Sequence, residues 1–354
     1  MSDYRTFDVT DRWLDEDRAE SYAVLTSRAR FARNLEGFPF VPHSGPDVLE
    51  RVDDYVSERL RQSDYFGSYE RIELAHLSET DRAYLKESRL IPKEMERGAP
   101  HSTVFLSPDG MASILINEED HIRAQILAPG LDVEGAVSAL GEIDDELSKT
   151  VAYAWSEKFG YLTACPTNLG TGLRASAMLH LPGLTLLQEV DQSLRGLTHY
   201  GLTVRGFEGE NSDFLGDFFQ ISNEATLGKS VDEIVETLVS VIKRIVEREE
   251  EARANLFAHH ASAADDAVWR SYAVLRYARK MDTNEALRLL SRLRLGIERD
   301  YFQNFTHKDL NRLVIEVQPA HLERKRDEWE KNATRDEARA RHLRSRMQGI
   351  VLSA

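Results

Sequence analysis

The chain has 354 residues, of which 42% are hydrophobic and 30% are charged, a balance typical of a globular protein with one large or two smaller domains. A formal net charge of −15 argues against a nucleic-acid-binding surface as its main role, and no apolar run reaches the roughly 18 residues of a membrane span. The single cysteine, Cys165, excludes an internal disulfide and a cysteine-based zinc site, so we expect a reducing, cytoplasmic setting.

The first half of the chain has a mixed α and β pattern. Residues 1–20 are acidic and polar, unlike a signal peptide, and we expect them to form a loosely ordered lead-in. Helical periodicity is present at 46–62 and at 134–158. Short apolar runs predict three strands, which are ASILIN (112–117), YLTAC (161–165) and GLTVRGF (201–207). Because no βαβ repeat of regular length is evident, a doubly wound parallel sheet is not favoured.

The pattern becomes helical after Lys229. Ser230 is the expected N-cap of a long amphipathic helix. Further helical patterns follow at 264–279, 282–299 and 320–347, with Asp282 or Thr283 as the cap of the second. The chain is therefore expected to divide into a lead-in (1–20), an α/β catalytic domain (21–255) and a helical C-terminal domain (256–354).

Two motifs in the first half combine arginines with other charged side chains. In TSRARFARN (26–34), Arg28 and Arg30 are two residues apart, so an extended segment presents both on one face. That face is either an edge strand defended by charge or a clamp for an oxyanion. INEEDHIR (116–123) is either a solvated turn or a carboxylate set at a strand end, with Arg123 facing an anion. A metal site is disfavoured there because consecutive side chains diverge and no second histidine has ligand spacing.

Two glycine-containing loops repeat this combination. In CPTNLGTGLRAS (165–176), Gly170 and Gly172 let the backbone approach a ligand. Arg174 lies near the start of a predicted helix, RASAMLHL, whose N-terminal dipole favours phosphate. The alternative is a strand-to-helix turn around a buried, inert cysteine. RGFEGE (205–210) again places an arginine at a strand end beside glycine and glutamate. Four such loops are hard to explain as surface decoration, and they predict a site for a small, highly charged anion.

Together these motifs resemble the phosphagen (guanidino) kinase family, and within it the bacterial protein arginine kinases of the McsB type. The resemblance extends from about residue 21 to 252 and is carried by TSRARFARNL, INEEDHIRAQ, GYLTACPTNLGTGLRASAMLHLPGL, RGFEGE and QISNEATLGKS. It implies an α+β fold in which a mainly antiparallel sheet flanked by helices is followed by an all-helical C-terminal domain. It also implies phosphoryl transfer from ATP to a guanidinium group, with Mg²⁺ carried by ATP and no metal ligand from the protein.

The resemblance also assigns roles to individual residues. Glu119 and Glu210 match carboxylates that hold the guanidinium, the first of which helps to remove its proton, and Cys165 matches a thiol set against the same group. Two carboxylates can align a delocalised guanidinium with the γ-phosphorus, while arginines stabilise the phosphoryl charge. The residues matched to ATP and phosphate binding are Thr26, Ser27, Arg28, Ala29, Arg30, Arg89, Arg123, Arg174, Ala175, Ser176, Ala177, Met178, Arg205, Gly206, Phe207, Glu208, Gly209 and Glu210.

Two positions depart from the family's pattern. Arg89 stands where we expect a nucleotide-contacting histidine, and Glu208 replaces what is commonly an aromatic residue. The first departure affects a nucleotide contact, and the second adds negative charge near the acceptor. Both bear on substrate preference more than on the chemistry.

The acceptor is expected to be an arginine of a protein. The first arginine motif begins at Thr26, which leaves no room for the helical domain that precedes it in the small-molecule phosphagen kinases. RDEARA (335–340) matches an element that binds phosphoarginine in the protein arginine kinases, through Arg335, Asp336, Arg339 and Ala340. Arg335 and Arg339 share a helix face. The alternative reading of this segment is a charged, solvated helix.

The resulting hypothesis is a protein arginine kinase that marks proteins for regulation or Clp-type degradation. Two alternatives stay open: a kinase for free arginine or another small guanidino compound, and a phosphoarginine-reading adaptor with little catalysis. The resemblance further implies arginine-containing protein substrates, an activator protein and a Clp chaperone–protease as partners. It also implies a homodimer or larger homo-oligomer, without a nucleic-acid or membrane partner.

Overall fold

The computed structural model describes residues 12–14, 22–206, 215–329 and 332–353. The strands of these residues are β1 (Val24–Arg33), β2 (Glu70–Glu73), β3 (Thr103–Leu106), β4 (Ala112–Ile116), β5 (Ile122–Pro129), β6 (Trp155–Ser156), β7 (Gly160–Tyr161), β8 (Leu173–His180), β9 (Leu202–Arg205) and β10 (Phe218–Asn223). Eight of them form one sheet in the order β2-β3-β4-β5-β1-β8-β10-β9, and β6 pairs with β7. The pairs β1/β5, β2/β3, β3/β4, β4/β5 and β6/β7 are antiparallel, so the expected sheet type is confirmed.

Helices flank the strands and dominate the C-terminal part. They are α1 (Pro46–Gln62), α2 (Glu79–Glu87), α3 (Val133–Ser148), α4 (Pro182–Leu186), α5 (Val190–Leu194), α6 (Val231–His259), α7 (Ala261–Tyr277), α8 (Thr283–Glu298), α9 (His307–Glu316), α10 (Pro319–Glu323) and α11 (Arg335–Gln348). None of the described helices combines the length and the apolar composition that a membrane span requires. The α+β fold with a helical C-terminal region is thus confirmed.

The chain folds into two compact units. The first consists mainly of Thr26–Ala177 and Ser222–Val239, and the second mainly of Met178–Ile221 and Ser240–Ala354. In the first unit, α3 covers one face of β1 and β5 with a buried stripe at helical spacing, formed by Val133, Ala136, Leu140, Ile143 and Leu147. Arg33, on the same face of β1, donates to Asp144 of α3 at 3.0 and 2.7 Å.

Helix caps explain where the helices of the C-terminal region begin. The Glu233 amide donates to the Ser230 side chain and the Ser230 amide donates back to the Glu233 carboxylate, so the expected cap of α6 is confirmed. Asp282 caps α8 by accepting from the Glu285 amide. Thr306 and Thr334 form capping boxes at α9 and α11.

Three local predictions need correction. The helix expected at 134–158 ends at Ser148, after which the chain turns into the β6–β7 hairpin. Of the strand expected at 161–165, only Tyr161 lies in a strand, as the second residue of β7. RASAMLHL is not a helix but most of β8. Its residues are good helix formers, but burial of every side chain from Ala175 to His180 favours a strand between β1 and β10. No helix N-terminus therefore follows Arg174.

Candidate active site

Arginines of the first unit project from one face of the sheet. Arg28 and Arg30 alternate along β1, as their spacing predicts. In the antiparallel register of β1 and β5, Ala32 lies opposite Arg123 and Arg30 lies opposite Gln125. Directly opposed residues point to the same side of a sheet, so Arg123 shares the face of Arg28 and Arg30. α3 covers the other face, so these arginines lie on the side of the sheet away from that helix.

A small cleft on this face collects three of the arginines. It is lined by Arg30, Ala32, Arg123, Asn168, Gly172 and Arg174. Arg174 is held by its Nη2, which donates to the Ser222 hydroxyl at 3.3 Å. Asn223 fixes the start of β8 with both ends of its amide, since its Oδ1 accepts from the Ala175 amide at 2.8 Å and its Nδ2 donates to the Leu173 carbonyl at 2.9 Å.

The charge of this cleft is strongly positive around Arg30. Burial, followed by the guanidinium groups of Arg28, Arg123 and Arg174, lowers the pKa of Arg30 well below its ordinary value, while Glu118 opposes the shift. The Arg30 Nε is buried without a hydrogen-bond partner among the described residues. Guanidinium groups this close together repel one another, and a bound anion relieves that repulsion. The cleft is therefore suited to an anion.

The acidic turn between β4 and β5 sends neighbouring carboxylates to different partners. The turn closes through the Asn117 amide, which donates to the His121 carbonyl at 3.0 Å, with Asn117 itself at a φ of 57°. Glu118 Oε2 lies 2.5 Å from Arg123 Nη1, and Glu119 Oε2 lies 3.1 Å from Arg123 Nη2. One guanidinium thus holds both glutamates, but only Glu119 is substantially exposed, with 42% of its side chain accessible.

Glu119 also reaches the loop that carries the cysteine. Its Oε2 is 3.5 Å from the side-chain Nδ2 of Asn168, and the backbone N–H of Asn168 donates to the Cys165 carbonyl at 3.0 Å. Cys165 is half-buried, with its Sγ 3.0 Å from the Thr167 hydroxyl. Glu119 therefore lies between the arginines and the Cys165 loop. A side chain that contacts phosphate on one side and an acceptor on the other must occupy such a position.

Asp120 and His121 anchor the segments around this site. Asp120 Oδ1 accepts from the Asn34 side chain and from the Ala164 amide, each at 2.6 Å, and so fixes the residue before Cys165. Burial raises the pKa of the Asp120 carboxyl, although these hydrogen bonds oppose the shift. His121 accepts from the Leu35 amide through Nδ1 and donates to the Pro39 carbonyl through Nε2, both at 3.0 Å. Burial lowers the pKa of His121, which keeps the ring neutral.

Two substitutions of Asp120 distinguish the contribution of its hydrogen bonds from that of its charge. Asp120→Asn keeps an oxygen for Asn34 and Ala164, so we expect a stability within about 1 kcal/mol of wild type and most of the activity. Asp120→Ala leaves both donors buried without an acceptor, which costs about 2–4 kcal/mol and releases the Cys165 loop. Urea unfolding and phosphotransfer rates of the two variants measure these effects.

The pH dependence of the same variants gives a second readout. The folded pKa of Asp120 is raised above its unfolded value, so wild type loses stability as the pH rises through the range just above the ordinary aspartate pKa. Asp120→Asn lacks this loss, and its advantage over wild type should therefore grow with pH. An advantage that shrinks with rising pH would show that the carboxylate is stabilised by its surroundings.

The glycine loop packs against the protein itself. Gly172 has a φ of +68°, and a Cβ there would lie 2.6 Å from Arg33 Nη1 and 2.7 Å from the Ala32 carbonyl. The Ala32 amide donates to the Gly172 carbonyl at 3.1 Å. On its other side the loop is held by the Thr226 hydroxyl, which donates to the Leu169 carbonyl at 2.6 Å. Gly172 thus permits the close approach to β1 that places Arg174 beside Arg30.

Several residues matched to ATP binding have side chains with structural partners. Thr26 Oγ1 donates to the Ala128 carbonyl, and Ser27 Oγ donates to the Gly130 carbonyl and accepts from the Asp132 amide. Five more residues of this group are buried within β1 and β8, namely Ala29, Ala175, Ser176, Ala177 and Met178. These contacts set the strands that carry the arginines, and direct contact of these residues with ATP stays a prediction.

Two further arginines matched to ATP binding, Arg89 and Arg205, are not among the residues that line the cleft. Arg89 follows α2 with a φ of 62°, and its carbonyl accepts from the Gln125 side chain at 2.8 Å. Arg205 is the last residue of β9, in the second unit, and is followed by the buried Gly206. Phe207, Glu208, Gly209 and Glu210 lie outside the described residues, so the second carboxylate stays a prediction.

The RDEARA motif opens α11 in the second unit. Arg335 is exposed, with its Nε 3.7 Å from Glu323, whereas the Arg339 side chain is only 1% accessible. Arg339 donates to the Val317 and Met281 carbonyls at 2.8 and 2.9 Å and pairs with Asp336 at 2.8 Å. Ala340 is buried beside it. Arg339 therefore stabilises the helical region in addition to any part it has in binding.

Sequence reasoning missed the residues that hold the site together. They are Asn34, Glu118, Asp120, Asn168, Ser222 and Asn223, all of which contact predicted site residues or their loops. Asn34 and Asp120 are 86 positions apart, so no local pattern links them. A usable signal was the presence of all six inside the quoted motifs, where polar residues flank short strands.

Two family models match the chain. Residues 48–252 match the ATP:guanido phosphotransferase C-terminal catalytic domain, and residues 261–352 match the protein-arginine kinase McsB C-terminal domain. A protein-arginine kinase of Pelotomaculum thermopropionicum is 41% identical over 88% of both chains. One of Symbiobacterium thermophilum is 38% identical over 95% of this chain and 96% of its own.

Solved structures show the same fold. The duplicated taurocyamine kinase of Schistosoma mansoni, solved with transition-state analogue components, matches 70% of this chain with a TM-score of 0.56 and 25% identity. This chain spans 34% of that duplicated chain. A lombricine kinase matches with a TM-score of 0.57 over 72% of this chain and 74% of its own. The chain therefore belongs to the ATP:guanido phosphotransferase family, and its relatives and C-terminal domain place it among the protein-arginine kinases of that family.

Proposed function

We propose that this chain transfers the γ-phosphoryl group of ATP to the guanidinium groups of arginines in proteins. The observation that carries the proposal is the position of Glu119, which contacts Arg123 of the phosphate-binding arginines and Asn168 of the Cys165 loop. The names of the relatives, which are protein-arginine kinases, support arginine as the acceptor. Mg²⁺ enters as the metal complex of ATP, which is the substrate.

In the proposed reaction a guanidinium nitrogen attacks the γ-phosphorus of ATP. The bond from that phosphorus to the bridging oxygen of ADP breaks, and Glu119 takes the proton released from the nitrogen. Arg28, Arg30, Arg123 and Arg174 hold the phosphates and balance the charge that develops during transfer. Cys165 lies against the acceptor, and Glu210 supplies the second carboxylate of the guanidinium grip. The positions of the described arginines and of Glu119 support these roles, and the roles of Cys165 and Glu210 rest on the resemblance.

A competition assay tests the acceptor. An unfolded, arginine-containing protein, the same protein with every arginine changed to lysine, and free arginine are each incubated with the enzyme, ATP and Mg²⁺. We expect phosphate only on the arginine-containing protein, and we expect free arginine at equal guanidinium concentration to compete weakly. Phosphorylation of free arginine without any of the protein would instead favour a kinase for small guanidino compounds.

The C-terminal motif leads to a second proposal about the same enzyme. We propose that Arg335 and Arg339 bind phosphoarginine, and that this binding regulates the kinase. Because Arg339 is buried and donates to two backbone carbonyls, its replacement disturbs the fold as well as a ligand site. Arg335 is the exposed member of the pair and is the better position for a binding test. We further propose that an activator protein acts on the kinase and that marked proteins are delivered to a Clp protease. Self-association and a cytoplasmic location are also part of the proposal.

A further inference from the structure

The first unit contains a second cavity, of about 420 Å³, that the phosphotransfer site does not use. It is lined by Leu35, Glu36, Gly37, Phe38, Phe40, Tyr153, Ala154, Trp155 and Leu162. Its size falls within the roughly 300–1,000 Å³ of small-ligand sites. Most of the lining residues are aromatic or aliphatic, and Glu36 is the only charged residue among them. The cavity thus combines aromatic faces with one negative charge.

The cavity adjoins the acceptor side of the candidate active site. Its floor is a set of hydrogen-bonded backbone segments, since the Ala154 amide donates to the Asn34 carbonyl at 2.7 Å and the Leu162 amide donates to the Ala154 carbonyl at 2.9 Å. Asn34 in turn donates to Asp120, the neighbour of Glu119. Leu162 is three residues before Cys165, so the two are at most about 10 Å apart. That span equals two to three residues of extended polypeptide.

The exposed groups of the lining favour a cation. The Trp155 side chain is 57% exposed, so its ring is accessible to a ligand. Tryptophan is also the aromatic residue that binds cations best. Among the described residues, no cation lies over its ring and no ion pair involves the exposed Glu36. The other rings are already engaged: Arg51 lies 5.5 Å from the Phe38 ring, Arg33 lies 5.6 Å from the Tyr153 ring, and Phe40 packs edge-on against His121. Glu36 and Trp155 are therefore the groups left for a ligand.

We propose that Glu36 and Trp155 form a subsite for a second basic side chain, lysine or arginine, of the polypeptide whose arginine is phosphorylated. The proposal rests on the proposed function, and it adds a sequence preference to it. The basic side chain lies two or three residues from the acceptor arginine, with its charge near the Glu36 carboxylate and its stem or guanidinium plane against the Trp155 indole. The Glu36 carboxylate disfavours an acidic residue at the same position.

A peptide series tests the subsite. Each peptide carries one acceptor arginine and either lysine, alanine, leucine or glutamate at one position, up to four residues on either side. We expect lysine at one or two of these positions to raise kcat/KM about three- to tenfold over alanine, as a cation–π contact joined to an exposed ion pair would do, and glutamate to lower it. Because these peptides contain no second arginine, the acceptor is unambiguous.

Enzyme variants identify the residues responsible. Glu36→Gln and Trp155→Ala change exposed side chains, and each should bring the lysine-to-alanine ratio close to one while leaving the rate on the alanine peptide unchanged. Glu142→Gln, an exposed glutamate of α3, is the matched control and should keep the full ratio. Equal rates on lysine and alanine peptides, a preference for leucine, or a lysine preference that survives both variants would overturn the subsite alone. Failure of wild type to phosphorylate any peptide or protein would overturn the proposed function as well.

Discussion

Glu119→Gln is expected to lower kcat by about 10²–10⁴-fold, the usual contribution of a positioned general base. Glutamine keeps the length of the side chain and an oxygen that can accept from Arg123, but it cannot take a proton from the acceptor nitrogen. Glu119 is exposed and has its strongest contact with Arg123 at 3.1 Å, so the substitution leaves the fold unchanged. Steady-state kinetics, with ATP affinity measured separately by calorimetry, distinguishes lost chemistry from lost binding.

The control for this variant is another glutamate with the same change of charge. Glu142→Gln lies on α3, on the face of the sheet opposite to the arginines, and should retain the wild-type kcat. We expect ATP to bind Glu119→Gln within a few-fold of wild type, because its phosphates contact the arginines rather than Glu119. A Glu119→Gln enzyme with undiminished kcat would remove this residue from the proton transfer.

Arg30→Gln is expected to lower the activity without lowering the stability of the ligand-free protein. Loss of one guanidinium from the phosphate cluster should lower kcat/KM for ATP by about 10²–10³-fold, comparable to the loss of one oxyanion-stabilising donor. The ligand-free protein should be as stable as wild type or more so, because burial and the nearby arginines lower the pKa of Arg30 and its charge therefore opposes folding. Thermal unfolding with and without ATP measures both effects, and the rise in Tm produced by ATP should shrink in the variant.

Arg33→Gln is the matched control from the opposite face of the same strand. Arg33 is 3% exposed and forms a two-point ion pair with Asp144, so its loss leaves a carboxylate without its partner and should cost about 3–5 kcal/mol. The two variants carry the same change of charge but should show opposite effects on the stability of the ligand-free protein. Equal destabilisation by both would mean that Arg30 is a structural residue.

The site was predictable where the chemistry depends on residue type and short spacing. Arg28 and Arg30 share a strand face because they are two positions apart, and Glu119 follows a strand whose burial is evident from ASILIN. The antiparallel sheet and the helical C-terminal region also followed, from the family resemblance and from helical periodicity. Each of these features is set by local sequence or by motifs that are short and continuous.

The remaining features depend on contacts between distant segments. The alanine, methionine and leucine residues of RASAMLHL favour a helix, and only its neighbours in the sheet make it β8. The hydrogen bonds that the Asn34 side chain and the Ala164 amide donate to Asp120 join three separate motifs into one site. The burial of Arg339 on the packed face of α11 is equally invisible in the sequence, where RDEARA suggests two exposed arginines.

The most direct test of the proposed function is to locate the phosphate on an acceptor protein. Wild-type enzyme is incubated with an arginine-containing protein, ATP and Mg²⁺, and the products are analysed by mass spectrometry at neutral or basic pH, since the phosphorus–nitrogen bond is acid-labile. We expect phosphate on arginine side chains and its loss on brief acid treatment. Phosphate on serine, threonine or lysine instead, or no phosphate on a protein that wild type binds, would contradict it.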